Sequence, residues 1–249
     1  MVAMRGAPIE VPYAESKTAR PPLGGESAAG LELACLLSSP VYLGVGVPRG
    51  DGRTVLVLPG FLGNDEYLRP LRGWLQRVGY EPRASGIVFN FGTPSSLIAQ
   101  LLRRAEFVAG GERLTLIGHS LGGIFARAVA VMRPDLVSHV ITLGSPLQGN
   151  PRAASHPLVA SLGNLLLTER GGMRANDALE AALLDVALPQ DVRISCFYSQ
   201  SDAVVDWRAC IDRDPRAQGI EVHGTHCGLV WNREVYQKLA ILLASTPRG

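Results

Sequence analysis

Ser120 stands between two glycines, Gly118 and Gly122, directly after an apolar run and directly before a helical stretch. The spacing Gly-x-Ser-x-Gly in this setting is typical of a nucleophile elbow, a tight strand-to-helix turn that pushes a serine hydroxyl out of the fold. A side chain at either glycine would crowd the neighbouring strand or helix. The pattern therefore predicts a serine that attacks a carbonyl carbon. The amide of Leu121, at the start of the helix, is expected to point toward the resulting oxyanion.

A lone serine is a weak nucleophile, so this chemistry requires a base and an acid on later strand ends, in the order Ser, Asp, His. Asp202 follows a predicted apolar strand, and Asp206 is the alternative acid a few residues further along. His226 lies on a glycine-flanked loop before the last predicted helix, whereas His223, the alternative base, continues the preceding strand. We expect His226, oriented by Asp202, to take the proton from the serine.

A second oxyanion donor is expected on the glycine-rich loop that follows the first strand, which is predicted over residues 54–58. The amide of Phe61 is the predicted donor, and that of Leu62 is the alternative. Leu62 and His119 are also predicted to line the substrate site, although His119 is expected mainly to pack beside the serine. The other possibility for this loop is that its proline and glycine only form a turn.

These motifs resemble those of bacterial alpha/beta-hydrolases of the lipase and esterase type. The resemblance runs from about residue 52 to 243 and rests on residues 57–61, 116–123, 141–146, 198–202 and 224–229. It implies an alpha/beta-hydrolase fold and hydrolysis of a small-molecule or lipid ester through an acyl-enzyme, with Ser120, Asp202 and His226 as the triad. Many lipases carry a His-Gly pair at the oxyanion loop, where this chain has Pro59-Gly60.

The same three residues could also serve an acyltransferase, a thioesterase or an amidase. A competing alcohol would reveal a transferase, and leaving-group preference would separate the other two. A binding protein on a hydrolase scaffold is a further alternative, because a fold alone does not establish an activity. It is disfavoured because a competent residue fills each catalytic position.

The chain has 249 residues, of which 47% are hydrophobic, and this suits one domain with an ample core. Apolar extended runs alternate with helical stretches near residues 66–78, 95–108, 121–132 and 232–243. This alternation predicts an α/β class with a mainly parallel sheet and helices on both faces. The sequence contains no metal-ligand spacing and gives no reason to expect a cofactor. A net charge of +2 with interspersed signs gives no indication of nucleic-acid binding.

Residues 1–30 are rich in proline, glycine, alanine and charge, which predicts a flexible N-terminal arm before a single domain over residues 31–249. Residues 31–47 are predicted as a helix that leads to the sheet edge. Proline and two glycines interrupt this apolar run, so a membrane span is not expected. No signal peptide is recognised, and the predicted location is cytoplasmic.

Residues 146–190 form a long insertion that is predicted to be a helical cap or lid over the site. Apolar residues at helical spacing indicate short helices over residues 158–167 and 178–186. If the insertion acts as a lid, Leu162 and Leu166 would line an acyl-binding pocket. The alternative is that these apolar faces only pack on the core.

Four cysteines in a chain of this length do not form a disulfide framework and are compatible with a reducing cytosol. Cys210 and Cys227 are the two that could pair, because both are expected near the catalytic loops. The sequence gives no indication of the oligomeric state.

Overall fold

A computed structural model describes residues 21–90, 93–149, 151, 154–166 and 185–247 of the chain. The strands in chain order are β1 (Thr54–Leu58), β2 (Glu81–Ala84), β3 (Leu114–His119), β4 (Val137–Leu143), β5 (Arg193–Tyr198) and β6 (Gln218–Glu221). The helices are α1 (Ala29–Leu37), α2 (Arg69–Val78), α3 (Pro94–Ala109), α4 (Leu121–Met132), α5 (Pro157–Leu166) and α6 (Arg233–Ser245).

Within these residues the six strands form one sheet in the order β2-β1-β3-β4-β5-β6, and every neighbouring pair is parallel. The central strands β1, β3 and β4 are buried along their whole length, as expected for parallel strands that are covered on both faces. Helices α3 and α4 cover one face, and α1, α2 and α6 cover the other. The prediction of an α/β fold with helices on both faces is confirmed.

The order of the strands determines where a ligand can bind. From β1 the chain moves outward to β2 at one edge, and it then crosses back to β3 on the other side of β1. Loops that follow β1 and β3 therefore separate and leave a crevice at the carboxyl ends of these two strands, where open α/β sheets bind their ligands. The glycine-rich loop after β1 and the serine turn after β3 meet at this crevice.

Several element boundaries differ from those predicted, for local reasons. Helix α2 begins at Arg69 and not near residue 66, since Pro70 favours the first turn of a helix. Asn232 is the N-cap of α6 and its side chain accepts hydrogen bonds from two backbone amides, so the helix itself begins at Arg233. Strand β2 was not predicted from the sequence. It has only four residues, and one of them is Pro82, which lacks a backbone N–H and is tolerated on an edge strand.

The last part of the predicted arm has regular structure in the residues that the structure describes. A 3-10 helix covers Leu23–Ala28 and continues directly into α1. The carboxylates of Glu26 and Glu32 accept backbone hydrogen bonds from the loops after β5 and β6, which holds this segment on the domain. Residues 1–20 of the predicted arm lie outside the described residues. The predicted helix over residues 31–47 ends at Leu37 and gives way to turns around Pro40, a residue that cannot continue a helix.

Part of the predicted cap is a helix. Helix α5 matches the first predicted helix of the insertion to within one residue at each end. The segment before it is anchored on the loop after β5, through a backbone bridge between Ser155 and Val205 and a hydrogen bond from His156 N to Val204 O of 2.6 Å. This contact places the start of α5 beside the carboxyl end of β5. The second predicted helix lies mostly outside the described residues, so lid movement stays a prediction.

All four cysteines are free thiols, so the suggested pairing of Cys210 with Cys227 is wrong for this structure. Cys210 is buried with its sulfur near the Asp206 carbonyl, whereas Cys227 is exposed. Within the described ranges, no helix combines the length and the apolar character that crossing a bilayer requires. The cytoplasmic location stays a prediction.

Candidate active site

Ser120 occupies a strained turn between β3 and α4. Its backbone angles are φ 52° and ψ −122°, in a region that a residue with a side chain seldom adopts. The Ser120 amide donates to the Leu143 carbonyl over 2.9 Å, which fixes the turn to the end of β4. A Cβ atom at Gly122 would lie 2.5 Å from the Pro59 carbonyl oxygen, and one at Gly118 would collide with the Gly122 carbonyl. Both glycines are therefore required for the close packing of this turn.

Asp202 and His226 are in direct contact at the neighbouring strand ends. His226 Nδ1 lies 2.7 Å from Asp202 Oδ2, and both side chains are buried. The other carboxylate oxygen, Oδ1, accepts the amides of Val204 and Val205 over 2.8 and 2.7 Å. The carboxylate is thus held at both oxygens. Because Asp202 occupies Nδ1, the imidazole presents Nε2 as its second nitrogen, which is the arrangement of a general base with its orienting acid.

The alternative acid and base both lie elsewhere. Asp206 caps the 3-10 helix Trp207–Cys210 by accepting the Arg208 amide, and it also forms an ion pair with the Arg208 guanidinium. The His223 side chain is 88% exposed and contacts Glu234 on α6. Neither residue takes part in the contact between Asp202 and His226.

The electrostatic surroundings of His226 favour its protonated form. Burial alone opposes the imidazolium, but the Asp202 carboxylate, through its charge and its hydrogen bond, and the nearby Glu26 carboxylate raise the pKa of His226 above its ordinary value. His226 therefore accepts a proton readily, and the two carboxylates stabilise the positive charge that results.

The Ser120 turn, the glycine-rich loop after β1 (the oxyanion loop) and the loop after β6 that carries His226 (the base loop) converge on one another. A Cβ atom built at Gly60 would lie 3.1 Å from Ser120 Cβ, so the loop after β1 runs directly alongside the serine. The rings of His119 and His226 lie 5.0 Å apart between centroids. The turn that carries Ser120 is therefore adjacent to both the base and the predicted oxyanion loop.

Backbone hydrogen bonds distinguish the two candidate donors on the oxyanion loop. The Leu62 amide donates to the Asn90 carbonyl over 3.0 Å, and the Asn90 amide donates back to the Gly63 carbonyl over 2.8 Å. The Asn90 side-chain amide also donates to the Pro59 carbonyl over 2.6 Å. Since the Leu62 amide is already engaged, Phe61 is the better candidate donor. Leu121, the other predicted donor, is the first residue of α4, where amides lack partners within the helix.

Tyr67 and His119 connect the oxyanion loop to the base loop. The Gly60 amide donates to the Tyr67 hydroxyl over 2.6 Å, and that hydroxyl lies 2.9 Å from His119 Nδ1. His119 Nε2 lies 3.0 Å from the His226 carbonyl oxygen. A carbonyl only accepts, so Nε2 must carry the proton and Nδ1 must accept from Tyr67. The chain of donors thus runs from Gly60 through both side chains to the backbone of His226.

The side chains of Tyr67 and His119 both stay neutral. Burial, together with the neighbouring His226, lowers the pKa of His119 to about 3. Burial raises the pKa of Tyr67 far above its ordinary value. His119 is predicted from the sequence to contact substrate, but its two nitrogens are occupied within the protein. This geometry favours packing beside the serine over contact with substrate.

Leu62, Leu162 and Leu166 are the other residues that the sequence predicts to contact substrate. Leu62 is partly exposed on the oxyanion loop and has a positive φ of 58°. Leu162 and Leu166 lie within α5, but their side chains are not among the described parts of the structure. Their role in an acyl pocket stays a prediction.

A second contact between a serine and a histidine lies within the sheet. His139 Nε2 is 2.9 Å from Ser195 Oγ, and both residues are buried on β4 and β5. Burial and the nearby Arg193 and Arg53 lower the pKa of His139 to about 3. Both residues lie in the first half of their strands, away from the crevice at the carboxyl ends, so the pair is a structural contact.

Sequence reasoning missed Tyr67 and Glu26. Tyr67 lies between the glycine-rich loop and α2, but its contacts with Gly60 and His119 form only in the fold, so no spacing in the sequence marks it. Glu26 lies in a segment whose composition indicates an arm, and no local pattern marks it as part of the site.

We expect Tyr67→Phe to lower the free energy of unfolding by about 1–3 kcal/mol, because the Gly60 amide and the His119 nitrogen lose their buried partner. Ester turnover should also fall, in kcat more than in KM, since the oxyanion loop loses its anchor. Urea denaturation and steady-state kinetics measure the two effects. Tyr80→Phe is the matched control, because the buried Tyr80 hydroxyl has no hydrogen-bond partner among the described residues. Equal losses in both variants would contradict this role of Tyr67.

Comparison with known proteins finds relatives for part of the chain. Residues 96–206 match a family described as PGAP1-like alpha/beta domain. A triacylglycerol lipase of Burkholderia plantarii is 33% identical over 141 residues, which is 52% of this chain and 38% of the lipase. The chain thus spans well under half the length of that relative.

Solved structures support the fold. An alpha/beta superfamily hydrolase from Oenococcus oeni aligns with a TM-score of 0.56 and 14% identity, over 79% of this chain and 93% of that chain. A structure described under LipS and LipT, two metagenome-derived lipolytic enzymes, aligns with a TM-score of 0.59 and 16% identity, over 80% of this chain and 96% of that chain. Together with the strand order and the serine turn, these similarities show that the chain has the alpha/beta-hydrolase fold.

Proposed function

We propose that this protein hydrolyses carboxylic esters through a triad of Ser120, Asp202 and His226. The observation that carries the proposal is the buried contact between His226 and Asp202 at the strand ends beside the strained Ser120 turn. A strained serine next to an oriented imidazole is the arrangement that acyl transfer requires.

In the first step, Ser120 Oγ attacks the ester carbonyl carbon, and its proton passes to His226 Nε2. The carbonyl oxygen becomes an oxyanion held by the amides of Phe61 and Leu121. Collapse of this intermediate breaks the bond to the alcohol, which leaves with the proton from His226. The product of the step is an acyl-enzyme on Ser120. Asp202 stabilises the imidazolium while it exists.

In the second step, water attacks the acyl-enzyme and gives its proton to His226. The same two amides stabilise the second oxyanion, and the proton returns to Ser120 as the acid leaves. Each oxyanion donor is expected to lower the barrier by about 2.7 to 4 kcal/mol, on the precedent of one such donor in another hydrolase. No cofactor or metal takes part in either step of this proposal.

Exposed apolar side chains on two segments that are hydrogen-bonded to the loops of the site support a substrate with an apolar acyl chain. Val88, on the loop that Asn90 ties to the oxyanion loop, is 75% exposed, and Leu158 at the start of α5 is 68% exposed. Leu62 adds a further partly exposed apolar side chain. Covering these groups with an acyl chain would remove apolar surface from water, which favours binding. The relative from Burkholderia plantarii is named a triacylglycerol lipase, which is consistent with this substrate class.

The proposal is tested by hydrolysis of p-nitrophenyl esters from acetate to palmitate. We expect serine-dependent turnover that is better for longer acyl chains than for acetate. Val88→Ser should raise KM for the preferred long ester about three- to tenfold and leave KM for acetate nearly unchanged, because only a long chain covers Val88.

Phe107→Ser is the matched control for this series. Phe107 is equally apolar and 79% exposed, but it lies in the last turn of α3, at the opposite end of the sheet from the crevice. This variant should keep the wild-type chain-length profile. If acetate were the best substrate, or if both variants changed KM alike, an apolar acyl site at this rim would be contradicted.

A further inference from the structure

Glu26 contacts the two loops that carry the acid and the base. Its Oε1 atom accepts the Ala203 amide over 3.2 Å and the His226 amide over 3.0 Å. Its Oε2 atom accepts the Cys227 amide over 2.9 Å. The residue belongs to the 3-10 helix Leu23–Ala28, which is far from both loops in the sequence.

These three amides place a single carboxylate across the junction of the two loops. Ala203 directly follows Asp202, and His226 donates its own backbone amide. A carboxylate that accepts several backbone amides forms charge-assisted hydrogen bonds, which are roughly twice as strong as neutral ones. Separation of the loops would break bonds on both sides of this carboxylate.

We propose that Glu26 is a positioning residue that holds the Asp202 loop and the His226 loop in fixed positions relative to each other. Its negative charge also stabilises the imidazolium of His226. This inference rests on the proposed function, since it assigns His226 the role of the base. Glu26 does not touch the substrate in this account.

Glu32 supports the same loop from α1 but acts on a different residue. Its Oε1 atom accepts the Thr225 amide over 2.8 Å. A Cβ atom at Gly228 would collide with its carboxylate, so the base loop passes directly alongside this side chain. Glu32 is therefore a matched control that is anchored on the same loop.

The charges that face His226 come from several elements. Asp202 is its direct partner, and Glu26 is the second carboxylate that raises its pKa. His119 faces it from the serine turn but is neutral, with a pKa of about 3. The Cys227 thiol is also neutral, because partial burial and the charge of Glu26 raise its pKa to about 11. Replacement of Glu26 by a neutral residue should therefore lower the pKa of His226.

The test compares Glu26→Gln with Glu32→Gln in two measurements. NMR titration of the imidazole protons, assigned with a His226→Gln variant, gives the pKa of His226 without any need for turnover. The pH dependence of kcat/KM with a p-nitrophenyl ester gives the position of the acid limb. We expect Glu26→Gln to lower the pKa of His226, to move the acid limb to lower pH and to reduce kcat/KM about ten- to hundredfold at its optimum. Glu32→Gln should leave the pKa and the limb in place.

Glu26→Asp provides the conservative variant, because it keeps the charge on a shorter side chain. It should hold the pKa of His226 closer to the wild-type value than Glu26→Gln does. An unchanged pKa in Glu26→Gln, or equal shifts in the Glu26→Gln and Glu32→Gln variants, would overturn the proposal. If wild-type protein showed no serine-dependent turnover, the proposed function would fail, while the NMR titration would still decide the role of Glu26.

Discussion

Ser120→Ala is expected to reduce kcat for ester hydrolysis to background. Loss of the nucleophilic serine costs on the order of 10⁶-fold in kcat in a well-studied serine hydrolase. The fold should survive, because alanine replaces only the hydroxyl and the turn keeps both of its glycines. Hydrolysis of a p-nitrophenyl ester and thermal unfolding together measure activity and stability.

The control for this substitution is Ser195→Ala. Ser195 is the serine that contacts His139 inside the sheet, and its loss removes a hydrogen bond without touching the crevice. This variant should lose some stability and keep its turnover. Comparable loss of turnover in both variants would contradict the assignment of Ser120 as the nucleophile.

Asp202→Asn is expected to reduce kcat about 10⁴-fold, by analogy with the same substitution in another triad. An amide cannot hold the imidazole in the required tautomer and cannot stabilise the imidazolium. In the wild-type protein kcat/KM should rise with pH as His226 loses its proton, with a midpoint above the ordinary histidine value because the carboxylates raise the pKa of His226. Loss of the Asp202 charge leaves burial to dominate, so the remaining activity should have its acid limb at lower pH.

Asp206→Asn is the matched control for the acid. Asp206 caps a short helix and pairs with Arg208, and it has no contact with His226 in the described structure. This variant should keep the wild-type acid limb and most of the turnover. A pH profile for Asp202→Asn with an unmoved acid limb would show that Asp202 does not act on the base.

The Ser120 turn and its flanking strand and helix could be predicted from the sequence, because neighbouring residues specify each of them. A mostly apolar strand, a Gly-x-Ser-x-Gly turn and a mostly apolar helix follow one another in β3, the Ser120 turn and α4, and the structure reproduces each of them. The order of acid and base along the chain then places Asp202 and His226 at neighbouring strand ends.

The supporting contacts could not be read in this way, because each depends on two segments that meet only in the fold. Tyr67 acts through Gly60 and His119, and no residue spacing encodes that contact. Glu26 lies in a segment rich in proline and glycine, a composition that indicates an arm. Its position is determined by amides on the loops after β5 and β6, which offer a carboxylate several partners at once.

The central claim is that Ser120 is a nucleophile activated by His226, and covalent labelling tests it most directly. The protein is treated with a fluorophosphonate ester, and the mass of the intact protein and of its peptides is measured. A serine that attacks the phosphorus forms a stable phosphonyl ester as fluoride leaves. We predict one adduct per chain, located on Ser120, absent from Ser120→Ala and formed much more slowly by Asp202→Asn. An unlabelled wild-type protein, or equal labelling of the Ser120→Ala variant, would contradict the account.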